Sequence, residues 1–419
     1  MPQIQLRPDV PFLSELYAQD APDAVLLAEY PSSNSDETQL QNRSKYLIHD
    51  PLPPPSRALL KVLGPHHLMC GWGRYLPVAS EIPPPPELIA HWLRHFGNAG
   101  CPIWQPLSLV ASSETSEASV VRPQYITLFP HEALSPQQQC VDPDVNYELH
   151  SKKVIEHIDC SQATVLDSIT PPCIVKLSHG YAGLGNFIVR NQADLTQLKQ
   201  QRQSRWTAAQ CVVTEVIENI TGDFGVQFYL GKDASLVWLG LTQQHFDAHL
   251  RWCGGTFSAN LQHELFDSLC DIVEPVGEYL HGRGYFGLVG VDILRDSGGR
   301  IYLVDVNPRL TGITPFVMAS RIFTQQDGLP EGVYQASRRF AGTVEQLINA
   351  AEKVQDAKVI VQSVFEQTSS AAEVATTCHI SVSSHSQERN QEVLNELFSP
   401  AYSGASLRDN AMEHPLKNR

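Results

Sequence analysis

GLVGVDILRDSGGRIYLVDVNPR, residues 287–309, decides how the rest of the chain is read. Two apolar runs, FGLVGVDIL and RIYLVDVN, flank DSGGR, whose Gly298-Gly299 pair signals a hairpin turn. Side chains alternate between the faces of a strand, so Asp305 and Asn307 share one face, and Asp292 can lie opposite them. Carboxylates are depleted in strands, and here they interrupt strongly apolar runs. Three oxygen-bearing groups on one sheet face make a hard-cation site. Mg²⁺ that bridges nucleotide phosphates is held in this way, by one or two carboxylates plus phosphate and water oxygens.

Upstream, PPCIVK ends an apolar strand on Lys176 and is followed by SHGYAGLGN (178–186) and a second strand, NFIVR. Glycines at 180, 183 and 185 permit close backbone approach, so successive N–H groups can point at an anion while Lys176 supplies a point charge. The loop matches neither GxxxxGK[ST] nor GxGxxG. Between loop and hairpin, CVVTEVIENITGDFGVQFYLGKDASLVWLGLTQQ (211–244) alternates apolar and polar residues around three glycines, as antiparallel strands do, and a long helix is expected over 261–281. YELHSKKVIEHI (147–158) reads as one further helix.

Outward from this centre, DAVLLAEY (23–30) reads as a buried strand, RALLKVLG (57–64) has helical spacing, and a helix begins at Pro86, where a missing N–H costs nothing. Residues 111–146 are rich in breakers, apart from the strand-like QYITLF. The chain after 343 reads helix, strand, strand, helix, and its end, from SPAYSGASLRDN on, reads as frayed. Three units follow: 1–140, 141–325 and 326–419.

Composition narrows the function. A formal charge of −15, from 30 basic and 45 acidic residues, with no Lys/Arg run, argues against nucleic-acid and anionic-membrane surfaces. Any anion site must be built locally. The 9 cysteines are scattered singly, as reduced thiols are, and the pair His66-His67 has no partner cluster that would make a metal site. No apolar run approaches the ~18 residues of a membrane span, and the N-terminus lacks a signal-peptide pattern, so a cytoplasmic protein is expected. Neither a nucleophile elbow nor a catalytic cysteine pattern is present.

Read in order, a helix lysine (Lys152 or Lys153), a strand lysine with a glycine loop, Thr214-Glu215-Val216-Ile217, and Asp292 followed by Asp305-Val306-Asn307-Pro308-Arg309 resemble the ATP-grasp superfamily over about 145–322. The thirteen residues between Asp292 and Asp305 are similar to the separation of the acidic metal ligands in the D-alanine–D-alanine ligases of that family. The resemblance implies an α/β (α+β) ATP-grasp fold: a pre-ATP-grasp α/β domain, an ATP-grasp domain of two α+β subdomains, and a small C-terminal α+β unit. It implies that Lys176 and one of Lys152 and Lys153 contact the phosphates, and that Ser178, His179, Gly180, Gly183 and Gly185 belong to a loop closing over them. Glu215, Val216 and Ile217 would hold the adenine, and Asp223, with Glu218 as the alternative, the ribose. Asp292, Asp305 and Asn307 would bind two Mg²⁺, with Mn²⁺ as a substitute, although the family's middle ligand is usually glutamate. Arg309 would neutralise an acyl phosphate or developing oxyanion, and Arg251 is a second candidate for the transferring phosphoryl group.

The implied reaction is ATP-dependent ligation: a carboxylate becomes an acyl phosphate and an amine attacks it, in the manner of amino-acid and peptide ligases. A carboxylase, or an ATP-binding regulator without turnover, would use the same nucleotide site. Small-molecule carboxylates and amines are the expected partners, and relatives that pair leave a homodimer open.

Overall fold

The computed structural model describes residues 4–6, 12–33, 40–49, 54–107, 123–180, 185–205, 211–247, 251–370 and 373–399. Near the N-terminus a four-stranded parallel sheet runs in the order Trp104–Pro106, Val78–Ser80, Val25–Leu27, Tyr125–Thr127. Val25, Leu26 and Leu27 are all buried, as in a parallel strand covered on both faces. The helices Pro54–Met69 and Pro86–Gly100 pack on the strand Lys358–Ser370 of a second, larger sheet, the second helix with Pro86 in its first turn as the sequence predicts.

A small antiparallel sheet follows, with Cys173–Leu177 between Asn186–Val189 and Cys211–Thr214. Cys173, Val175 and Val189 pack there with Leu195 and Leu198 of the helix Gln192–Arg205. Facing it is a nine-stranded sheet whose path runs Ile301–Asn307, Gly287–Asp296, Ile220–Leu230, Leu236–Phe246, Trp252–Ser258, Glu331–Phe340, Glu373–Ser384, Lys358–Ser370. Ile4–Leu6 pairs alongside Leu236–Phe246. The helix Ala259–Gly282 buries Leu265, Leu269, Ile272, Val273 and Val276 with Val289, Val291 and Ile293 of the strand Gly287–Asp296. It covers the segment where a long helix was expected.

The helix expected over 147–158 is broken. Pro143–Leu149 is α-helical, capped by Asp142, whose Oδ1 accepts the N–H groups of Asp144 and Val145 at 2.9 and 3.1 Å. A separate 3₁₀ segment, Lys152–His157, begins after Ser151, whose Oγ accepts from Lys153 N at 3.3 Å. Ser151 thus acts as a second cap in mid-run, and restarting the chain there resets which residues face inward. The strand Glu331–Phe340 has no counterpart among the sequence expectations. It hydrogen-bonds to Trp252–Ser258, so the C-terminal strands extend the large sheet.

Lys358–Ser370 is the outer strand of that extension, and its register shifts between Val361 and Ser363. Two side chains of the helix Pro86–Gly100 serve the exposed backbone there: Trp92 Nε1 donates to Val361 O at 3.0 Å, and Val361 N donates to His91 Nε2 at 3.0 Å. His91 Nδ1 then carries the ring proton, which it gives to Glu352 at 2.6 Å. His91, His95 and Glu352 bring three potential ligand atoms within 4.8 Å, yet His91 already uses both nitrogens and Arg94 Nε lies 2.8 Å from Glu352. The group is a hydrogen-bonded tie between helices and strand.

Candidate active site

The hairpin places Asp292 directly across from Asp305, and Gly290 across from Asn307. A bulge follows Asp292, so that Ile293 pairs with Leu303 and Val304 has no partner residue in the ladder. Val304 O is used from outside the hairpin: Lys176 Nζ donates to it at 2.7 Å. Asp292 Oδ1 accepts from Gln244 Nε2 at 2.8 Å, and its other oxygen lies 3.4 Å from Asn307 Nδ2. Burial first, and the Asp305 charge second, push the Asp292 carboxyl up to about 6. Two carboxylates and an amide crowded on one buried face, with one carboxyl driven toward its neutral form, are a donor set short of positive charge. They fit a hard divalent cation.

The cations nearest this face come from the preceding elements. Lys152, from the 3₁₀ segment, is buried and pairs with Asp305, while Lys153 faces solvent. The backbone N of Lys152 also donates to Ser178 O at 2.9 Å, tying that segment to the glycine loop. Burial lowers the Lys176 ammonium pKa, opposed by Asp305 and Asp292 and reinforced by Lys152.

In the loop, Ser178 is buried with Oγ 3.0 Å from Ser151 Oγ. His179 lies flat on Tyr147, ring centroids 4.0 Å apart, and its Nε2 donates to Tyr147 O at 3.0 Å. That bond leaves Nδ1 as an acceptor, and burial holds the ring's pKa near 4, so the imidazole is neutral. Gly180 is buried, its neighbour His179 accepting from His49 N at 3.1 Å. Gly183 lies outside the described residues. Gly185 has φ +91, and a Cβ there would sit 2.7 Å from Leu177, so only glycine fits.

Glu215, Val216 and Ile217 cross from the small sheet to the large one. Glu215 Oε1 accepts from Thr164 N and Oγ1 at 2.8 and 2.7 Å, which fixes the start of the crossing. Glu218 is exposed. Asp223 shares the face of Gly225, which lies opposite Asp292, and burial followed by the Asp292 charge pushes its carboxyl up to about 7.

Arg309 is buried, its NH2 donating to Asn307 Oδ1 at 2.9 Å and its guanidinium lying 4.9 Å over the Phe129 ring. Its Nε has no partner among the described residues. Arg251, by contrast, is exposed beyond the strand Leu236–Phe246 and is bound to Asp247, with Nε–Oδ2 at 2.8 Å. The geometry gathers Asp292, Asp305, Asn307, Lys152, Lys176 and Arg309, and leaves Lys153 and Arg251 facing solvent.

The comparisons bear on this arrangement directly. Residues 151–307 match the family model described as L-aspartate–L-methionine ligase, ATP grasp. These residues are similar to an ATP-grasp domain. A curated relative, the [butirosin acyl-carrier protein]–L-glutamate ligase of Niallia circulans, is 24% identical over 162 residues, and the match spans 38% of each chain. Among solved structures, an N5-carboxyaminoimidazole ribonucleotide synthetase in complex with ADP superposes with a TM-score of 0.50 at 12% identity, covering 79% of this chain and 93% of that one. The corresponding Staphylococcus aureus synthetase, also with ADP, gives 0.49 at 13% identity, over 80% and 94%.

At the candidate site, sequence reading did not single out Gln244, which holds Asp292, nor could it pair Arg309 with Phe129. Gln244 lies at the polar end of a strand that is buried through Thr242, and a lone amide there carries no motif. Phe129 is 180 positions away in the chain, a distance that no local pattern bridges. No helix among the described residues is long and apolar enough to cross a membrane.

Proposed function

We propose that the protein is an ATP- and Mg²⁺-dependent ligase that converts an amino-acid carboxylate to an acyl phosphate and couples it to an amine, releasing ADP and phosphate. The observation that carries this reading is the single face on which Asp292, Asp305 and Asn307 meet Lys152, Lys176 and Arg309. The matching family and the curated relative are both named as amino-acid ligases, which supports an amino acid as one substrate.

Asp292, Asp305 and Asn307 would hold Mg²⁺, one ion or two, and Mn²⁺ would substitute. The bound metal offsets charge on the transferring phosphoryl group. Lys176 and Lys152 place ammonium charge at the phosphates, and the glycine loop that begins at Ser178 lies beside them. Glu215, anchored by Thr164, sets the crossing in which the backbone of Val216 and Ile217 takes the adenine edge, and Asp223 accepts from the ribose. Arg309, stacked on Phe129 and with Nε uncommitted, faces the oxyanion that develops at the acyl carbon. Arg251 would need to leave Asp247 to reach a phosphoryl group, and its role is secondary.

The test is ADP release from MgATP against a panel of amino acids and small carboxylic acids, with wild type and Asp305→Ala compared. Release that depends on one acid and one amine and is lost in the variant supports the ligase. Release that depends on bicarbonate alone would point to a carboxylase. ATP binding without release under any pairing would sink the catalytic reading.

A further inference from the structure

Arg309 projects from an irregular segment between the strand Ile301–Asn307 and the helix Thr314–Asp327, and something must hold that segment in place. From the large sheet, Gln227 Oε1 accepts from the hydroxyls of Thr311 and Thr314 at 3.2 and 3.0 Å. The Trp252 ring packs on Gly312 so closely that a Cβ there would meet ring carbons at 3.1 and 3.2 Å. The third restraint comes from a helix earlier in the chain. His67, on the helix Pro54–Met69, places Nε2 2.6 Å from Gly312 O.

A carbonyl oxygen only accepts, so Nε2 carries the ring proton, and buried Nδ1 has no partner among the described residues. The ring is wedged against His379 and Tyr334, with centroids 4.9 and 5.5 Å away. Its tautomer and orientation are therefore fixed, and its one hydrogen bond goes to the segment that carries Arg309. Gln227 sits on the same sheet as the metal-side residues and moves with them. His67 alone of these restraints comes from a helix, Pro54–Met69, which packs on the strands Lys358–Ser370 and Glu373–Ser384 and on the helix Thr314–Asp327.

We propose that His67 is a positioning residue: by donating to Gly312 O it holds the segment that aims Arg309 at the phosphoryl end of the site. This rests on the reading of Arg309 given above. A displacement of about 1 Å at a reacting group costs on the order of a hundredfold in rate, so a bond made three residues from Arg309 is within reach of the chemistry.

The test measures binding of inorganic phosphate to the MgADP-loaded full chain by titration calorimetry, which needs no knowledge of the acid or amine. His67→Phe keeps a ring and removes the donor, and should leave MgADP affinity unchanged while weakening phosphate about tenfold or more. His67→Gln keeps a terminal N–H and should recover most of that loss. In an Arg309→Ala background, His67→Phe should cost nothing further. Should His67→Phe fail to fold, His67→Met against His67→Gln gives the same contrast. Equal loss of MgADP and phosphate binding, full additivity with Arg309→Ala, or no phosphate binding by wild type would each overturn the proposal. Phosphate binding that obeys the cycle, with no acid releasing ADP, would leave it standing and remove only the ligase reading.

Discussion

Lys152→Met and Lys153→Met are adjacent, chemically identical changes whose effects should differ sharply. The Lys152 and Asp305 side chains are 8% and 17% exposed, so their pair is nearly desolvated. Removing one member of a buried pair typically costs about 3–5 kcal/mol. Asp305 faces the nucleotide side and is partly wetted, so about 2 kcal/mol is the expectation for Lys152→Met. For ligand, one unit charge about 4 Å from a phosphate at an effective dielectric of about 20 interacts by about 4 kcal/mol. With Lys176 still present and water filling the gap, about 1.4–2.8 kcal/mol should be lost, or a ten- to hundredfold higher Kd for MgATP. Exposed Lys153→Met should stay within about 0.5 kcal/mol in stability and leave Kd unchanged. Urea denaturation and calorimetric titration with MgATP read both quantities. Equal effects from the two variants, or unchanged MgATP affinity in Lys152→Met, would refute the assignment of Lys152 to the phosphates.

Gln244→Ala should loosen Asp292 and raise the Mn²⁺ concentration needed for half-saturation about tenfold, read by electron paramagnetic resonance with ADP present; unchanged Mn²⁺ affinity would remove Gln244 from the site. Acid should destabilise the fold early: burial holds His66, His67, His95 and His179 near pKa 4 and His131 near 3, whereas unfolded histidine titrates near ~6.5. Between those values the unfolded chain binds more protons, so stability falls as pH drops from about 6.5 toward 4, at up to about 1.4 kcal/mol per unit per histidine. A Tm that stays flat down to pH 5 would contradict this. Trp92→Phe leaves Val361 O without its donor and should cost about 1–3 kcal/mol in urea unfolding; a loss below about 0.5 kcal/mol would mean that water replaces the bond without penalty.

Local periodicity made the metal face legible. Asp305 and Asn307 share a side because strands repeat every two residues, and Gly298-Gly299 announced the turn that brings Asp292 opposite. The choice between Lys152 and Lys153 was not legible, because it depended on the helix breaking at Ser151 and restarting with three residues per turn. The strand Glu331–Phe340 was missed because its apolar residues cluster at one end, giving a burial pattern without clean alternation. Long-range partners such as Phe129 under Arg309, or Thr164 on Glu215, are set by packing between layers, which no single stretch of text encodes.

His91 and Trp92 on Val361 have a consequence for how the chain is made. The strand Lys358–Ser370 is made after the helix Pro86–Gly100 but before its ladder partner Glu373–Ser384, and a bare strand edge is an invitation to pair with another chain. By then the helix Pro86–Gly100 has long been synthesised and can offer a donor and an acceptor at one of the two places where the register slips. A helix made earlier thus serves as an internal escort for a strand made later. Shortening the chain before residue 358 would leave that helix's His91 and Trp92 without their target, trading a sealed seam for two sticky faces.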